Sequence, residues 1–301
     1  MSREGYAMKR TTAAIVTTLA LLTTATAQSA FGQAVPRPQG LGEDTAKAVP
    51  PFKMFDNLYY VGLDFVNAYV IQTSGGLILV DTLFGQFGDY TAKAMQELGL
   101  NPKDVKYIVI THGHDDHYGG LKKMKELTGA RVIMADADWK LMEDTVRKEG
   151  DAAVASKLIP RDMTTKDGDT LALGNTTIKL YVTPGHTAGV TSLDFPVFDN
   201  GKQYRVFMWP GPTLQSMDLP MMEAFLATSK RLQTLAKGAD VWLHSHPWSV
   251  SLFQKYEKLK GRKPGDPNPY VNPGEIQVFL EQRIEDTEKR IAEVKAKTAK
   301  P

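Results

Sequence analysis

Cysteine is absent from all 301 residues of the chain. Disulfide bonds are therefore excluded, and the hydrophobic core must stabilise the fold by itself. The same absence restricts the chemistry of any transition-metal site, because no thiolate can serve as a ligand. Such a metal could be held only by imidazole nitrogens and carboxylate oxygens, both of which zinc accepts.

Histidine is scarce, and its six residues all fall in three short segments. Three lie in the run His112-Gly113-His114-Asp115-Asp116-His117, one in Pro184-Gly185-His186-Thr187, and two in His244-Ser245-His246-Pro247. A polar loop that contained histidine by chance would leave others scattered elsewhere in the chain. The clustering instead indicates a metal site.

A long and purely apolar segment is also lacking. The most apolar stretch, residues 11–27, follows Lys9-Arg10 and is short and rich in threonine. A basic start, a short apolar core and small residues near Ala27 and Ala34 are typical of a secretory signal peptide, whereas a membrane anchor needs a longer apolar core. We predict that residues 1–34 are a signal peptide, that the mature protein is exported to the periplasm, and that no membrane attachment remains after cleavage.

Without residues 1–34, the chain has no excess of positive or negative side chains. Residues 1–34 hold three of the 36 basic side chains and one of the 34 acidic ones, which leaves 33 of each in the mature chain. Such a balance provides no basic surface for nucleic acid. We therefore expect a small-molecule substrate, no nucleic-acid partner and a monomer.

The rest of the chain is predicted to be one domain. Residues 35–54 are rich in proline, glycine and alanine, which favours an extended lead-in. From residue 55 to 301, β-rich segments with helices occur twice in succession, without an internal repeat or a linker. Two sheets packed face to face with helices outside explain this order. The domain ends in a long charged helix over residues 274–297, and residues 151–165 fit no clear element.

Each candidate ligand follows a short predicted strand, at residues 106–111, 176–182 and 240–243. Strand ends from packed sheets can converge on one cleft. A catalytic zinc ion needs about three protein ligands and an open position, whereas four protein ligands make a closed structural site. Six candidates are too many for one open site, so two adjacent sites of three ligands each fit better.

Two assignments stay open at this level. Asp81 ends another apolar strand, where its carboxylate could cap a turn or could orient the metal loop. The late ligand could be either His244 or His246, because both follow the last predicted strand.

The histidine-rich run resembles a known family. His112-Gly113-His114-Asp115-Asp116-His117 matches the His-x-His-x-Asp-His signature of the metallo-β-lactamase superfamily, and Asp81, His186 and a late histidine complete its motif order. The resemblance covers about residues 57–297 and is nearest to the third subclass of metallo-β-lactamases, through Thr183-Pro184-Gly185-His186-Thr187 and Ser245-His246-Pro247. It implies a four-layer αβ/βα sandwich of the α/β class, in which two mixed sheets pack together and carry a dinuclear metal site at their edge.

The resemblance also implies roles for individual residues. The ligands would be His112, His114 and His186 for one Zn²⁺ ion and Asp116, His117 and His246 for a second. Asp116 would in addition be catalytic, by orienting the metal-bound hydroxide and taking up a proton. His246 is favoured as the late ligand because it lies in the Ser-His-Pro pattern. His244 and Asp81 would then support the site from outside the ligand shell.

The implied activity is opening of the β-lactam ring by a zinc-bound hydroxide, which would make the protein an antibiotic-resistance enzyme. The chain departs from the family at Pro210-Gly211-Pro212, where an aspartate or a pair of serines is common, and at Trp248, where a small residue is common. These changes place Pro212 and Trp248 in the predicted substrate cleft. They leave two alternatives, a hydrolase of another cyclic amide, lactone or thioester (lactonase- or glyoxalase-type) and a non-catalytic zinc-binding protein.

Overall fold

The computed structural model describes residues 42–214 and 218–298. The predicted signal peptide and the first part of the lead-in lie outside the described residues. The strands are β1 (Phe52–Phe55), β2 (Leu58–Tyr60), β3 (Tyr69–Thr73), β4 (Gly76–Val80), β5 (Val105–Val109), β6 (Arg131–Ala135), β7 (Met163–Thr165), β8 (Thr170–Leu173), β9 (Thr176–Val182), β10 (Thr191–Asp199), β11 (Lys202–Met208) and β12 (Val241–Leu243). The α-helices are α1 (Gly88–Glu97), α2 (Asp115–Tyr118), α3 (Leu121–Thr128), α4 (Asp136–Glu149), α5 (Asp151–Lys157), α6 (Leu219–Leu235), α7 (Leu252–Lys260) and α8 (Glu275–Thr298).

The strands form two mixed sheets. The first contains β1 to β7 in chain order, with antiparallel pairing as far as β4 and parallel pairing from β4 to β7. The second has the order β12-β11-β10-β9-β8, and its only parallel pair among the described strands is β11 with β12. This architecture confirms the predicted sandwich of two mixed sheets.

The sheets are held together by apolar residues that alternate between two cores. In β3 and β4, Ile71 and Ile78 join a core that also contains Phe207 of the second sheet. The neighbouring residues Val70 and Leu79 face the other way, into a core beneath α1, α3 and α4. Because both faces of these strands are buried, their sequences are almost continuously apolar.

Helices complete the outer layers. Met95 of α1 and Met124 of α3 are buried against the first sheet. On the second sheet, Trp242 of β12 packs against Phe279 of α8, with their ring centroids 4.4 Å apart. The long helix α8 therefore buries one face and exposes most of its charged residues, as its sequence pattern predicts.

Three local predictions need correction. The β-structure begins at Phe52, before the predicted boundary at residue 55, because the apolar side chains that follow Pro50-Pro51 pair with β2. Residues 151–165 contain α5 and β7, although their polar sequence predicts neither. Part of the histidine-rich run is also not a loop, since Asp116 and His117 lie in the single turn of α2.

The two sheets meet at one edge through a backbone hydrogen bond. The N–H of Thr191, at the start of β10, donates to the carbonyl of Thr111, just after β5, over 2.8 Å. This bond brings the ends of β5 and β9 to the same edge. Among the described residues, every helix is too short or too polar to cross a bilayer.

Candidate metal centre

The six predicted ligands come together at this edge in two clusters. His112 and His114 follow β5, Asp116 and His117 lie in α2, His186 lies between β9 and β10, and His246 follows β12. The first cluster contains His112, His114 and His186, and the second contains Asp116, His117 and His246. Within each cluster the candidate ligand atoms lie within 4.8 Å of one another. The ring centroids of His112 and His117 are 4.0 Å apart, so the clusters are adjacent.

The first cluster has the geometry of a metal site. Nδ1 of His114 lies 3.2 Å from Nε2 of His186, and two nitrogens bound tetrahedrally to one zinc ion lie about 3.3 Å apart. Nε2 of His112 is buried without a hydrogen-bond partner. A buried polar atom without a partner is unfavourable, and a metal bound between the three imidazoles would satisfy it.

Neighbouring oxygen atoms orient these rings. Nδ1 of His186 donates to the carbonyl of Thr213 over 2.8 Å. Nδ1 of His112 lies 3.1 Å from Oγ1 of Thr111, and that hydroxyl donates to Asp81 over 2.8 Å, so the threonine oxygen accepts from the ring. In both histidines Nε2 is consequently left with a lone pair that can bind a metal.

Burial keeps the first cluster uncharged. It lowers the pKa of His112 well below the ordinary value, and the neighbouring imidazoles, His117 first among them, lower it further. Burial together with His114 lowers the pKa of His186 to about 3. The pKa of His114 is lowered mainly by burial. All three rings are neutral near pH 7, which is the form that binds a metal.

The second cluster is organised around a carboxylate. Oδ2 of Asp116 lies 3.3 Å from Nε2 of His117 and 3.6 Å from Nε2 of His246. Nδ1 of His246 donates to the carbonyl of Phe65 over 2.8 Å, which places the proton of the neutral ring on Nδ1 and the lone pair on Nε2. Nε2 of His117 is buried and makes no hydrogen bond, although it is close to Asp116. This donor set of one carboxylate and two imidazoles also suits zinc.

The second cluster differs from the first because its groups are charged. Burial disfavours a protonated His117, but the carboxylates of Asp116 and Asp81 outweigh that effect and raise the pKa of His117 to about 10. Burial also acts against ionisation of Asp116, and the neighbouring charge on His117 reverses this and holds the pKa of Asp116 below its usual range. Without a metal, the second cluster therefore holds a proton near pH 7.

Asp81 orients the metal loop. Its side chain is completely buried and accepts hydrogen bonds from the Thr111 N–H, the Thr111 hydroxyl and Nδ1 of His117, each over 2.8 Å. Asp81 has a positive φ of 61°, a conformation that non-glycine residues adopt uncommonly. Of the two roles that the sequence leaves open, these contacts favour orientation of the loop over capping of a turn.

His244 is buried next to the clusters but belongs to neither. Its Nδ1 accepts a hydrogen bond from the backbone N–H of His246 over 2.7 Å. A neutral imidazole that accepts at Nδ1 carries its proton on Nε2, so it cannot also bind a metal there. The structure thus separates the two late histidines, with His246 in the second cluster and His244 supporting the turn that carries it.

The two predicted cleft residues lie beside different clusters. The ring of Trp248 stacks on that of His246, with centroids 4.5 Å apart and an angle of 21° between the planes. Pro212 is buried and directly precedes Thr213, the residue that accepts from His186. The structure therefore gives Trp248 a direct contact with a candidate ligand and places Pro212 next to a residue that orients one.

Several supporting residues carry little signal in the sequence. The carbonyls of Phe65 and Thr213 cannot be identified from residue type, because every residue has a carbonyl. Asp138 is different, because this buried carboxylate lies on the apolar face of α4 with Met142 and Val146. An acidic residue within an apolar stripe is unusual, and this is the signal in the sequence that marks Asp138.

Comparisons with known proteins support the same class. A model of the metallo-β-lactamase superfamily matches residues 61–197, which include five of the six candidate ligands. The chain is also similar to the crystal structure of BJP-1, a subclass B3 metallo-β-lactamase of Bradyrhizobium japonicum. That similarity has a TM-score of 0.72 and 31% identity, and it covers 83% of this chain and 97% of BJP-1.

Curated sequence relatives match a shorter region. A β-lactamase-like protein 2 homolog of Caenorhabditis elegans is 33% identical over 132 residues, which cover 44% of this chain and 40% of the relative. A hydroxyacylglutathione hydrolase of Cereibacter sphaeroides is 32% identical over 104 residues, which cover 35% of this chain and 33% of the relative. The chain thus spans well under half the length of these two relatives.

The chain belongs to the metallo-β-lactamase superfamily. Members of this superfamily are metal-dependent hydrolases and typically use zinc. Three solved structures that resemble this chain, BJP-1, FEZ-1 and LRA-12, are subclass B3 metallo-β-lactamases.

Proposed function

We propose that this protein is an exported, zinc-dependent hydrolase that opens the β-lactam ring. The observation that carries the proposal is the pair of adjacent three-residue clusters, on a chain that resembles nearly the whole length of a subclass B3 metallo-β-lactamase. Two zinc ions per chain would occupy the clusters, with His112, His114 and His186 at one and Asp116, His117 and His246 at the other.

The chemistry of the donor atoms supports this proposal. When bound in the clusters, zinc lowers the pKa of a coordinated water and polarises the carbonyl oxygen of the substrate. The protein residues present neutral imidazole nitrogens at fixed orientations, through hydrogen bonds to Thr111, Thr213 and Phe65. Ligands held in this way do not need to reorganise during the reaction.

Asp116 is suited to move a proton. Its side chain is 15% exposed, whereas that of the neighbouring His117 is completely buried, so the carboxylate can reach the cleft. A carboxylate ionised near pH 7 can accept a proton from the attacking water. When the C–N bond of the ring breaks and the hydroxyl group remains on the carbonyl carbon, the same proton can pass to the leaving nitrogen.

A second candidate function uses the same site on another substrate, a lactone or a thioester. The hydroxyacylglutathione hydrolases among the relatives favour it. Pro210-Gly211-Pro212 also favours a lactone, because proline has no N–H and no side-chain donor with which to hold a β-lactam carboxylate. The aspartate that this segment lacks counts against a glyoxalase-type thioesterase. The two candidates share their metal ligands and differ only in what the cleft accepts.

A substrate panel distinguishes them. The mature protein, loaded with zinc, would be assayed on a penicillin, a carbapenem, a lactone and a thioester, and metal content would be measured on the same sample. We expect about two zinc ions per chain and turnover of at least one β-lactam. Turnover of the lactone or thioester alone would establish the second candidate, and no turnover of any substrate by the dizinc protein would refute both.

A further inference from the structure

Asp138 is a fully buried carboxylate that is not a candidate ligand but contacts the loops that carry the ligands of the first cluster. It lies in the first turn of α4. Its Oδ2 accepts from the Gly113 N–H over 3.0 Å and from the Thr187 hydroxyl over 2.6 Å, and its Oδ1 accepts from the Gly189 N–H over 2.9 Å. All three donors are uncharged groups in the loops that carry the first cluster.

The positions of these donors matter. Gly113 lies between His112 and His114, and Thr187 directly follows His186. One carboxylate therefore bridges the two loops that supply all three ligands of the first cluster. These loops come from different sheets, because one follows β5 and the other connects β9 with β10.

The backbone of both loops packs directly against Asp138, at Gly113 and at Gly189. A Cβ atom added at Gly113 would lie 2.8 Å from the backbone oxygen of Asp138, and one added at Gly189 would lie 2.8 Å from its Cγ. Both distances are shorter than a carbon atom tolerates, so only glycine allows this approach at either position. The bridge is consequently short and leaves little freedom between the loops.

A purely structural role would not require this residue type. Burial raises the pKa of Asp138, while hydrogen bonds from Thr187, Gly113 and Gly189 act in the opposite direction. A buried carboxylate is unfavourable unless its hydrogen bonds are made. The neighbours of Asp138 on the buried face of α4, Trp139 and Met142, are apolar and pack without this penalty.

We propose that Asp138 is the positioning residue of the first metal site, where it sets the spacing between the loop of His112 and His114 and the loop of His186. The second site depends on a different carboxylate, Asp81, which holds His117. The inference rests on the proposed metal site and requires no particular substrate. It requires that loss of the Asp138 carboxylate weakens the first site selectively.

Metal titration tests the proposal. Metal-free wild type and Asp138→Asn would be titrated with Co²⁺, in competition with a chelator, and followed by absorption and by proton NMR of the shifted imidazole N–H signals. Three such signals belong to the first site and two to the second. Asn has the same shape as Asp, but an NH₂ group replaces one of the two carboxylate oxygens. That NH₂ would face a hydrogen-bond donor and could not accept from it. We expect about a 10- to 100-fold loss of affinity at the first site and less than about a threefold change at the second.

Asp136→Asn is the matched control. Asp136 lies in the same turn, its side chain is 76% exposed and it pairs with Arg161, so the substitution removes the same charge from the surface. Equal behaviour of the two variants would overturn the proposal, as would equal weakening of both sites, which indicates general loosening of the fold. Failure of the wild type to bind two Co²⁺ ions would overturn the proposed metal function as well.

Discussion

The two clusters lie side by side but are built on different electrostatic principles. The first consists of three imidazoles whose pKa values are lowered by burial, and uncharged oxygens of Thr111 and Thr213 orient two of them. The second contains one carboxylate and a histidine whose pKa is raised to about 10 by Asp116 and Asp81. The first cluster is therefore ready for a metal near pH 7, whereas the second exchanges a proton for it.

This difference shows how one short run can serve two sites. His112 and His117 are five positions apart, yet one extends from the loop and the other from a helical turn. They share Asp81, which holds His117 directly and His112 through Thr111. The Asp81 carboxylate contacts His117 directly and favours its protonated form. The Thr111 hydroxyl separates the same carboxylate from His112.

Removal of a ligand from the second cluster should have the largest effect. We expect His117→Ala to reduce second-site metal affinity by more than about 100-fold, beyond the 10- to 100-fold range typical of supporting residues, and to abolish turnover. The measurement is zinc content by equilibrium dialysis together with an assay on the best substrate of the panel. Asp115→Asn is the control, since Asp115 lies in the same run but pairs with Lys157. Retained turnover in His117→Ala would refute a two-metal mechanism.

Asp81→Asn should have the next largest effect on metal affinity. It tests whether the two sites are held in place by different carboxylates. Asn is uncharged and has only one acceptor oxygen, so it cannot replace all the hydrogen bonds that Asp81 accepts from His117 and Thr111. Metal affinity at the second site should therefore fall by about 10- to 100-fold. First-site affinity should change less, which is the reverse of the pattern expected for Asp138→Asn. The same Co²⁺ titration measures both steps. If the Asn variants at positions 81 and 138 weaken the same site, the two clusters share one support and the contrast between them is wrong.

The metal affinity of the second site should rise with pH. Binding at His117 displaces a proton, so its apparent affinity should increase by about tenfold per pH unit from pH 7 toward the pKa of about 10. The first site should show no comparable rise, because its histidines are already neutral. Calorimetry in buffers of different ionisation enthalpy counts the protons released in each step. Equal proton release at both sites would contradict the charge difference between them.

The same pKa has a consequence for the metal-free protein. A histidine whose pKa is raised on folding adds stability that is complete below its unfolded value of 6.5 and is lost as the pH rises through about 10. We therefore expect the metal-free protein to lose stability between these values. An Asp81→Asn variant should lose less over the same range, since one of the two carboxylates that favour the proton is gone. Denaturant unfolding across pH 6 to 10 measures this effect.

The smallest effect should come from the support of the turn that carries His246. His244→Ala removes the acceptor of the part-buried His246 N–H, and loss of such a hydrogen bond costs about 0.5–1.5 kcal/mol. His244→Asn places an oxygen where Nδ1 was and should restore part of this stability. Urea unfolding of the two metal-free variants gives the comparison. Identical stabilities would show that the hydrogen bond at 2.7 Å contributes nothing to the turn.

Much of the fold could be predicted because local patterns and tertiary structure agree there. The apolar runs of β4 and β5 and the spacing in α8 predict the elements that form. Residues 151–165 could not be placed, because α5 buries no residue and β7 is an edge strand held by its neighbour rather than by its own pattern. The start of β1 before residue 55 cannot be predicted, because a four-residue strand after two prolines has too little periodicity to identify.

The residues that could bind a metal can be identified from the sequence alone, since six histidines and no cysteine leave few donor sets and the His-x-His-x-Asp-His spacing is specific. The family resemblance implies how these donors are grouped, and the structure agrees with it, but the contacts that support them appear only in the tertiary structure. Which nitrogen of His244 or His246 has a lone pair depends on a backbone N–H and on the carbonyl of Phe65. Asp138 likewise acquires its contacts only when loops from two sheets meet. Apart from the bond between His246 and His244, these hydrogen bonds join residues distant in sequence, and no local pattern encodes them.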